Sequence, residues 1–153
     1  MAERIGPAPQ EGIYPLWAWH SCGGNRKKPD LRSENHFPKG KKGVRIEFEI
    51  HDKDVLLSCY HDWHFILNKF YLPSSDEDYE NYTTQMEEAG INVYRNWDKI
   101  PIQVQSKIEK SWLRIFDINS PGYSSPDTGR YVQATFWELR FDQVTDVKNF
   151  TGR

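Results

Sequence analysis

YVQATFWEL, residues Tyr131–Leu139, is the stretch that decides the fold class. Its side chains alternate, with Val132, Ala134 and Phe136 on one face and Tyr131, Gln133, Thr135 and Trp137 on the other. That period of two belongs to a strand. Glu138 falls in phase with the apolar face. An unpaired buried carboxylate is costly, so either the strand ends before Glu138, or Glu138 has a buried partner, or it lines a cleft. Gln133, Thr135 and Trp137 would form a polar-aromatic face suited to hydrogen-bonding and stacking a ligand ring. The plainer alternative is a strand end with a surface Glu and a Trp packed against a neighbour.

A second clean strand lies upstream, at Gly43–Ile50 (GVRIEFEI). There Val44, Ile46, Phe48 and Ile50 alternate with Arg45, Glu47 and Glu49, which implies one wet face. Ile13–Trp19 (IYPLWAW) reads as a third strand, with Pro15 marking its start or a sheet edge. Val55–Ser58 is a short apolar piece, and Phe141–Phe150 closes the chain with a turn and a short strand around Val144 and Val147.

Helical spacing replaces the period of two in Tyr60–Tyr71, where Trp63, Ile66, Leu67, Phe70 and Tyr71 share one face. Residues 76–89 read as an acidic surface helix. Ile102–Phe116 reads as another, with Val104, Ile108, Trp112 and Ile115 as its buried stripe. Residues 1–12, 21–42 and 119–129 are irregular or turn-rich. Strands and helices mix without regular alternation. The expected fold is therefore α+β: one domain over 1–153, with a curved, mostly antiparallel sheet flanked by two or three helices.

Composition narrows the setting. The chain has 153 residues, is 37% apolar and carries six Trp, eight Tyr and eight Phe, so rings must supply much of the core. Two cysteines, Cys22 and Cys59, are too few for a disulfide scaffold. The N-terminus lacks the apolar segment of a secretory signal. No apolar run approaches the ~20 residues needed to span a bilayer. A cytoplasmic protein with no membrane partner is expected, and its oligomeric state is open.

Net charge is only −2, but charge is polarised along the chain. Residues 25–45 hold Arg26, Lys27, Lys28, Arg32, Lys39, Lys41, Lys42 and Arg45 against Asp30 and Glu34. Residues 76–90 hold Asp76, Glu77, Asp78, Glu80, Glu87 and Glu88 and no base. The basic loop is a candidate phosphate contact through Arg26, Lys27, Lys28, Arg32, Lys41 and Lys42. The bland alternative is a pair of solvated surfaces.

Other chemistry is thinner. His20, Cys22, Cys59, His61 and His64 are zinc-ligand types, but no paired spacing such as CxxC or HExxH is present, so no metal site is assigned. Cys59 beside His61 or His64 is a weak nucleophile pattern. Trp17, His20 and the Trp63–His64 pair place rings beside histidines, as a base- or sugar-stacking cleft does. Asn68 lies one helical turn after His64 and suits either a ligand hydrogen bond or a local cap.

YPLWAWH (14–20), RKKPDLR (26–32), KGVRIEFEI (42–50), VLLS (55–58), WHFILN (63–68), SWLRIFDI (111–118) and VQATFWELRFDQVTDVKNFTGR (132–153) together resemble the bacterial family named domain of unknown function 3841. The resemblance implies a prokaryotic or phage-borne cytosolic protein and no particular reaction. It also implies an N-terminal strand ahead of the point where this chain begins, so that a site depending on that strand would be incomplete. Family members carry acidic residues where this chain has Cys59 and His61. A looser likeness is to ADP-ribosyltransferase-like folds, in which a late glutamate orients the ribose. Glu138 would take that role, with Trp17 or His20 near the nicotinamide end.

Three functional expectations result. The first is a nucleotide- or phosphate-ligand cleft, for an NAD-like nucleotide, with Glu138 as catalytic anchor and Trp17, His20, His64, Asn68, Gln133, Thr135 and Trp137 lining it. The second is a non-catalytic interaction or inhibitor protein that masks a macromolecular target through the basic loop 25–45 or the acidic segment 76–90. The third is a nucleic-acid binder that uses its lysines and exposed rings.

Overall fold

The structure is a computed structural model that describes residues 1–23, 28–34, 36–94, 97–119, 123 and 131–153. Among these the elements run α1 (Ala2–Ile5), β1 (Leu16–Ser21), β2 (Lys42–Phe48), β3 (Leu56–Cys59), α2 (Trp63–Leu67), α3 (Asp76–Glu88), α4 (Ile102–Ser111), β4 (Val132–Phe136) and β5 (Val144–Thr151). The fold is α+β, with the strands divided between two sheets, one ordered β1-β4-β3 and one pairing β2 with β5. Packing resolves the chain into two compact units, Met1–Leu57 with Gln133–Arg153, and Ser58–Val132.

β4 shows the expected alternation: Val132, Ala134 and Phe136 are buried, while Gln133 and Thr135 are half-buried. The strand is shorter than the pattern suggested. It ends at Phe136, and the Trp137 indole N–H then donates to the Gly6 carbonyl at 3.0 Å. Glu138 lies beyond the strand, in solvent. The first of its three possible fates is the one observed. β1 starts at Leu16 and not Ile13, because Pro15 has no N–H to offer a ladder.

The β2–β5 ribbon is antiparallel, with Gly43 opposite Phe150, Arg45 opposite Lys148, Ile46 opposite Val147 and Glu47 opposite Asp146. Residues directly opposite share a face. One face therefore carries Gly43, Phe150, Arg45, Lys148, Glu47 and Asp146, and the other carries Val44, Ile46, Val147 and Asn149. The Phe150 ring meets Phe37 edge-on at 5.1 Å. A Cβ on Gly43 would stand 2.7 Å from the tip of the Phe150 ring, so a larger residue here would require that ring to shift. Like charges oppose one another across the ribbon, which is unfavourable. They are offset along each strand, Arg45 pairing with Glu47 at 2.6 Å and Lys148 with Asp146 at 2.7 Å. Lys28 adds a further ion pair to Glu47. These contacts keep Arg45 and Glu47 half-covered, while Val44 is 55%, Ile46 47% and Val147 57% exposed. Over Val44–Glu47 the wet face is thus the apolar one, while Phe48, beyond a register shift, is half-buried and meets Phe136 edge-on at 5.2 Å. The alternation was legible in the sequence, but its charged half is the half that packs.

The second unit is built on α3 and α4. Ser75 caps α3, its hydroxyl accepting from the Asp78 N–H at 3.1 Å, and Asp76, Glu77 and Asp78 complement the positive end of the helix dipole. α3 stops in a Schellman motif: Ile91 N–H bonds to Met86 C=O at 2.8 Å and Gly90 N–H to Glu87 C=O at 2.9 Å, with Gly90 at φ 64°. Tyr71, Tyr82, Met86 and Ile108 form the core of this unit, with Ile91, Val93, Trp97, Val104 and Trp112 packed on it. Tyr71 and Tyr82 stack at 4.1 Å. The expected stripe of the 102–116 segment is confirmed, Ile108 and Ile115 being fully buried, although the helix tightens to a 3-10 turn after Ser111.

The segment 60–71 departs most from expectation. Its helix spans only Trp63–Leu67. Lys69 adopts φ 56°, and Phe70 N–H returns to Phe65 C=O at 2.7 Å, a Schellman stop without glycine. Tyr71 still reaches the core, from an extended segment leading to the buried Pro73.

Asp78 ties α3 to this segment. It accepts from the Tyr71 hydroxyl at 2.9 Å, from the Ser74 N–H at 2.7 Å and from the Ser74 hydroxyl at 2.9 Å. Arg114 approaches at 3.6 Å. Burial works to raise its carboxyl, but the Ser74 and Tyr71 hydrogen bonds and Arg114 outweigh it, leaving Asp78 below the usual range.

Two expectations test this architecture. Ile108→Ala leaves a cavity in a fully buried position and should cost about 2–5 kcal/mol in chemical denaturation. An unchanged midpoint would contradict the assigned core. The Glu47 carboxyl is held below its ordinary value chiefly by its hydrogen bond from Lys28. A group depressed in this way stabilises the fold above its unfolded pKa and loses that contribution as pH falls through the native one. Glu47→Gln should therefore lower the melting temperature at neutral pH and flatten its decline below about pH 5. Parallel wild-type and variant curves would refute the ion-pair account.

Candidate functional site

The residues singled out in the sequence fall into three groups. Trp17, His20, Gln133, Thr135, Trp137 and Glu138 belong to the first unit. Trp17 is 61% exposed and meets Trp19 edge-on at 5.7 Å, and Trp19 in turn meets His36 at 5.9 Å. His20 is half-buried on β1, and Gln133 and Thr135 are half-buried on its neighbour β4. Trp137 is committed to Gly6.

His64 and Asn68 belong to the second unit. His64 is exposed, its ring edge-on to Tyr60 at 6.3 Å. The Asn68 side-chain amide donates to the His64 carbonyl at 2.7 Å, so it closes α2 locally. His61 lies edge-on to Tyr131 at 5.0 Å. Cys22 and Cys59 are buried and not joined in a disulfide, and burial pushes the Cys22 thiol up. Among the described residues no three His, Cys, Asp or Glu side chains gather as a metal site. No helix there is long and apolar enough to cross a membrane.

The third group is the basic loop. Arg26 and Lys27 lie outside the described residues. Lys28 is paired with Glu47. Arg32 grips Asp30 through two nitrogens, at 2.8 and 3.2 Å, and that hydrogen bonding holds the Asp30 carboxyl down at about 2. Lys39, Lys41 and Lys42 differ: they are exposed, and among the described residues none pairs with a carboxylate. They stand at a turn locked to the chain end, with Gly40 N–H on Gly152 C=O at 3.0 Å and Gly152 N–H on Lys41 C=O at 2.9 Å. A Cβ at Gly152 would lie 2.2 Å from the Pro38 carbonyl oxygen, so this closure requires glycine.

The lysine turn leads directly into the exposed apolar face of the ribbon. A shallow groove at this end of the ribbon is lined by Lys42, Gly43, Val44, Asn149, Phe150 and Thr151. The surface therefore combines three half-exposed aliphatic side chains with ammonium groups that pair with no carboxylate among the described residues. Composition gave no hint of Val44, Ile46 and Val147 as surface residues. The one available signal was that Arg45 and Glu47 are oppositely charged neighbours on one face of a strand, able to neutralise each other under cover.

A second groove, of about 280 Å³, lies in the second unit at the C-terminal end of α3. Met86, Ile91 and Val93 supply apolar walls, and Glu87, Asn92 and Tyr94 supply polar ones. The Tyr94 hydroxyl shares a hydrogen bond with Tyr79 at 3.0 Å, and this bond, with burial, pushes it up to about 12, so the phenol stays protonated at neutral pH. Neither groove is lined by Glu138, Gln133, His20 or His64.

No curated protein and no solved structure matches the chain. The pattern of the family described as Domain of unknown function (DUF3841) matches residues 1–145, nearly the whole length, and the chain belongs to that family.

Proposed function

We propose that this chain is a protein-interaction module that docks its partner on the outward face of the β2–β5 ribbon. The observation that carries the reading is the inversion of that ribbon: Val44, Ile46 and Val147 face solvent, while Arg45 and Glu47 sit on the packed side. Full burial of an aliphatic side chain of this kind is worth about 1.5–3 kcal/mol. Covering the three together is a substantial driving force for a small contact.

The neighbouring lysines define the partner's chemistry. Lys39, Lys41 and Lys42 have no carboxylate of their own among the described residues. A partner offering apolar side chains flanked by carboxylates satisfies both parts of the surface. Other features fit binding better than catalysis by Glu138. That side chain stands in solvent past the end of β4. Of the nominated phosphate contacts, Lys28 and Arg32 already hold carboxylates.

Immobilised chain at low salt, incubated with nuclease-treated lysate, tests this. Bound protein should be lost from both Ile46→Lys and the Lys41→Glu/Lys42→Glu double variant, with far-UV spectra and melting curves unchanged. A bound set indifferent to both ribbon variants would refute the surface. Retention seen only when the nuclease treatment is omitted would identify the lysines as nucleic-acid contacts instead.

A further inference from the structure

We infer that a second copy of this chain adds to the open edge of β5, the two β5 strands running antiparallel about a two-fold axis at Val147. The inference concerns the edge of the ribbon and is independent of what docks on its outward face.

Among the described residues β5 has one strand neighbour, β2. From Thr145 to Thr151 it makes no backbone–backbone hydrogen bond there outside that pairing. Thr145, Val147, Lys148 and Asn149 are exposed. An edge of this kind offers a row of N–H and C=O groups to another strand. β2 is the other edge of the ribbon, but Lys28 already holds Glu47 on it.

The side chains of β5 select the occupant and the register. A two-fold axis normal to the sheet preserves its two faces, so the axis must pass through a residue. An axis at Asp146 or at Lys148 would set that charge opposite its own copy. An axis at Val147 sets Asp146 opposite Lys148, Thr145 opposite Asn149, and Val144 opposite Phe150, each twice, with Val147 opposite itself. Every cross-strand pair then joins compatible chemistry: ion to counter-ion, amide to hydroxyl, apolar to apolar.

The charges of the ribbon give this pairing a reason. Within one chain Asp146 lies opposite Glu47 and Lys148 opposite Arg45, like charges on adjacent strands. Lys148 relieves this along the strand by pairing with Asp146 at 2.7 Å, and Asp146 also accepts from the Val147 N–H. A second copy places the opposite charge directly across from each of them. The product is a four-stranded sheet, β2-β5-β5-β2, closed by its symmetry. Ile46, which lies opposite Val147 in the ribbon, then continues through both Val147 side chains to the second Ile46 as one outward apolar strip.

Charge exchange with mixing tests the pairing. A single strand pair is a small contact, so the dimer belongs to the weak class. NMR translational diffusion should show wild-type dimer forming as chain concentration rises to about 1 mM. Amide exchange over Thr145–Asn149 should slow over the same range. Asp146→Lys and Lys148→Asp should each weaken association by roughly tenfold or more, since like charges then meet across the axis twice. Both substitutions place opposite charges across the β2–β5 pair, so melting curves should show the ribbon intact. An equimolar mixture of the two variants should recover a one-to-one dimer, and the double variant Asp146→Lys/Lys148→Asp should recover self-association. A wild type that stays monomeric overturns the inference, and the charges then guard the edge against pairing. Association indifferent to the single substitutions overturns it too, as does a failure of both the mixture and the double variant to recover it. If a variant does not fold, exchange in the unaltered chain decides: no concentration-dependent protection on β5 sinks the proposal. Failure here leaves the outward face as a docking surface, because none of these substitutions alters Val44, Ile46 or Val147.

Discussion

The register of β2 against β5 is the constraint on which the chemistry of this surface depends. Side chains alternate with a period of two, so a slip of one residue would exchange the two faces of the ribbon. The observed register places Gly43 beneath Phe150, where a Cβ would press on the tip of the ring. With that contact set, Arg45 and Glu47 must follow Gly43 onto the packed side, and Val44 and Ile46 must face outward. The charged side is made tolerable by pairing: Arg45 and Lys28 on Glu47, and Lys148 on Asp146. Its members remain partly solvated, which limits the desolvation cost a buried ion pair would incur. The apolar side has no such compensation: Val44, Ile46 and Val147 remain about half exposed.

The same unit fixes where the positive charge stands. Gly152 bonds back to the 38–41 turn and is packed against Pro38 too closely for any other residue. The lysines are therefore held on a closed turn beside the ribbon, and not on a loose tail. Ordered charge beside apolar surface is more selective than either feature alone, because a partner must match both.

The second unit resolves its acidic excess differently. Asp78 is drawn into a local network, while the outer carboxylates of α3 are left in water. One acid thus stabilises the unit and the others remain available. A net charge of −2 conceals this arrangement: the basic and acidic surfaces are both substantial, and their sum is small.

Much of the architecture was legible in the sequence because it rests on local rules. The alternation in 132–136 and 43–48, the Ile108 and Ile115 stripe and the acidic helix of residues 76–89 are all set by residues within a few positions of one another. The length of α2 was not legible, because its stop is made by a lysine in a left-handed conformation that carries no glycine signal. Nor was the fate of Glu138, since β4 ends where Trp137 turns to a carbonyl at Gly6, at the opposite end of the chain. The sequence by itself determined which residues of β2 share a face. Only the tertiary structure decided which face looks outward, because a period is a local property, whereas sidedness is set by Phe150, near the far end of the chain, closing with Phe37 over Gly43.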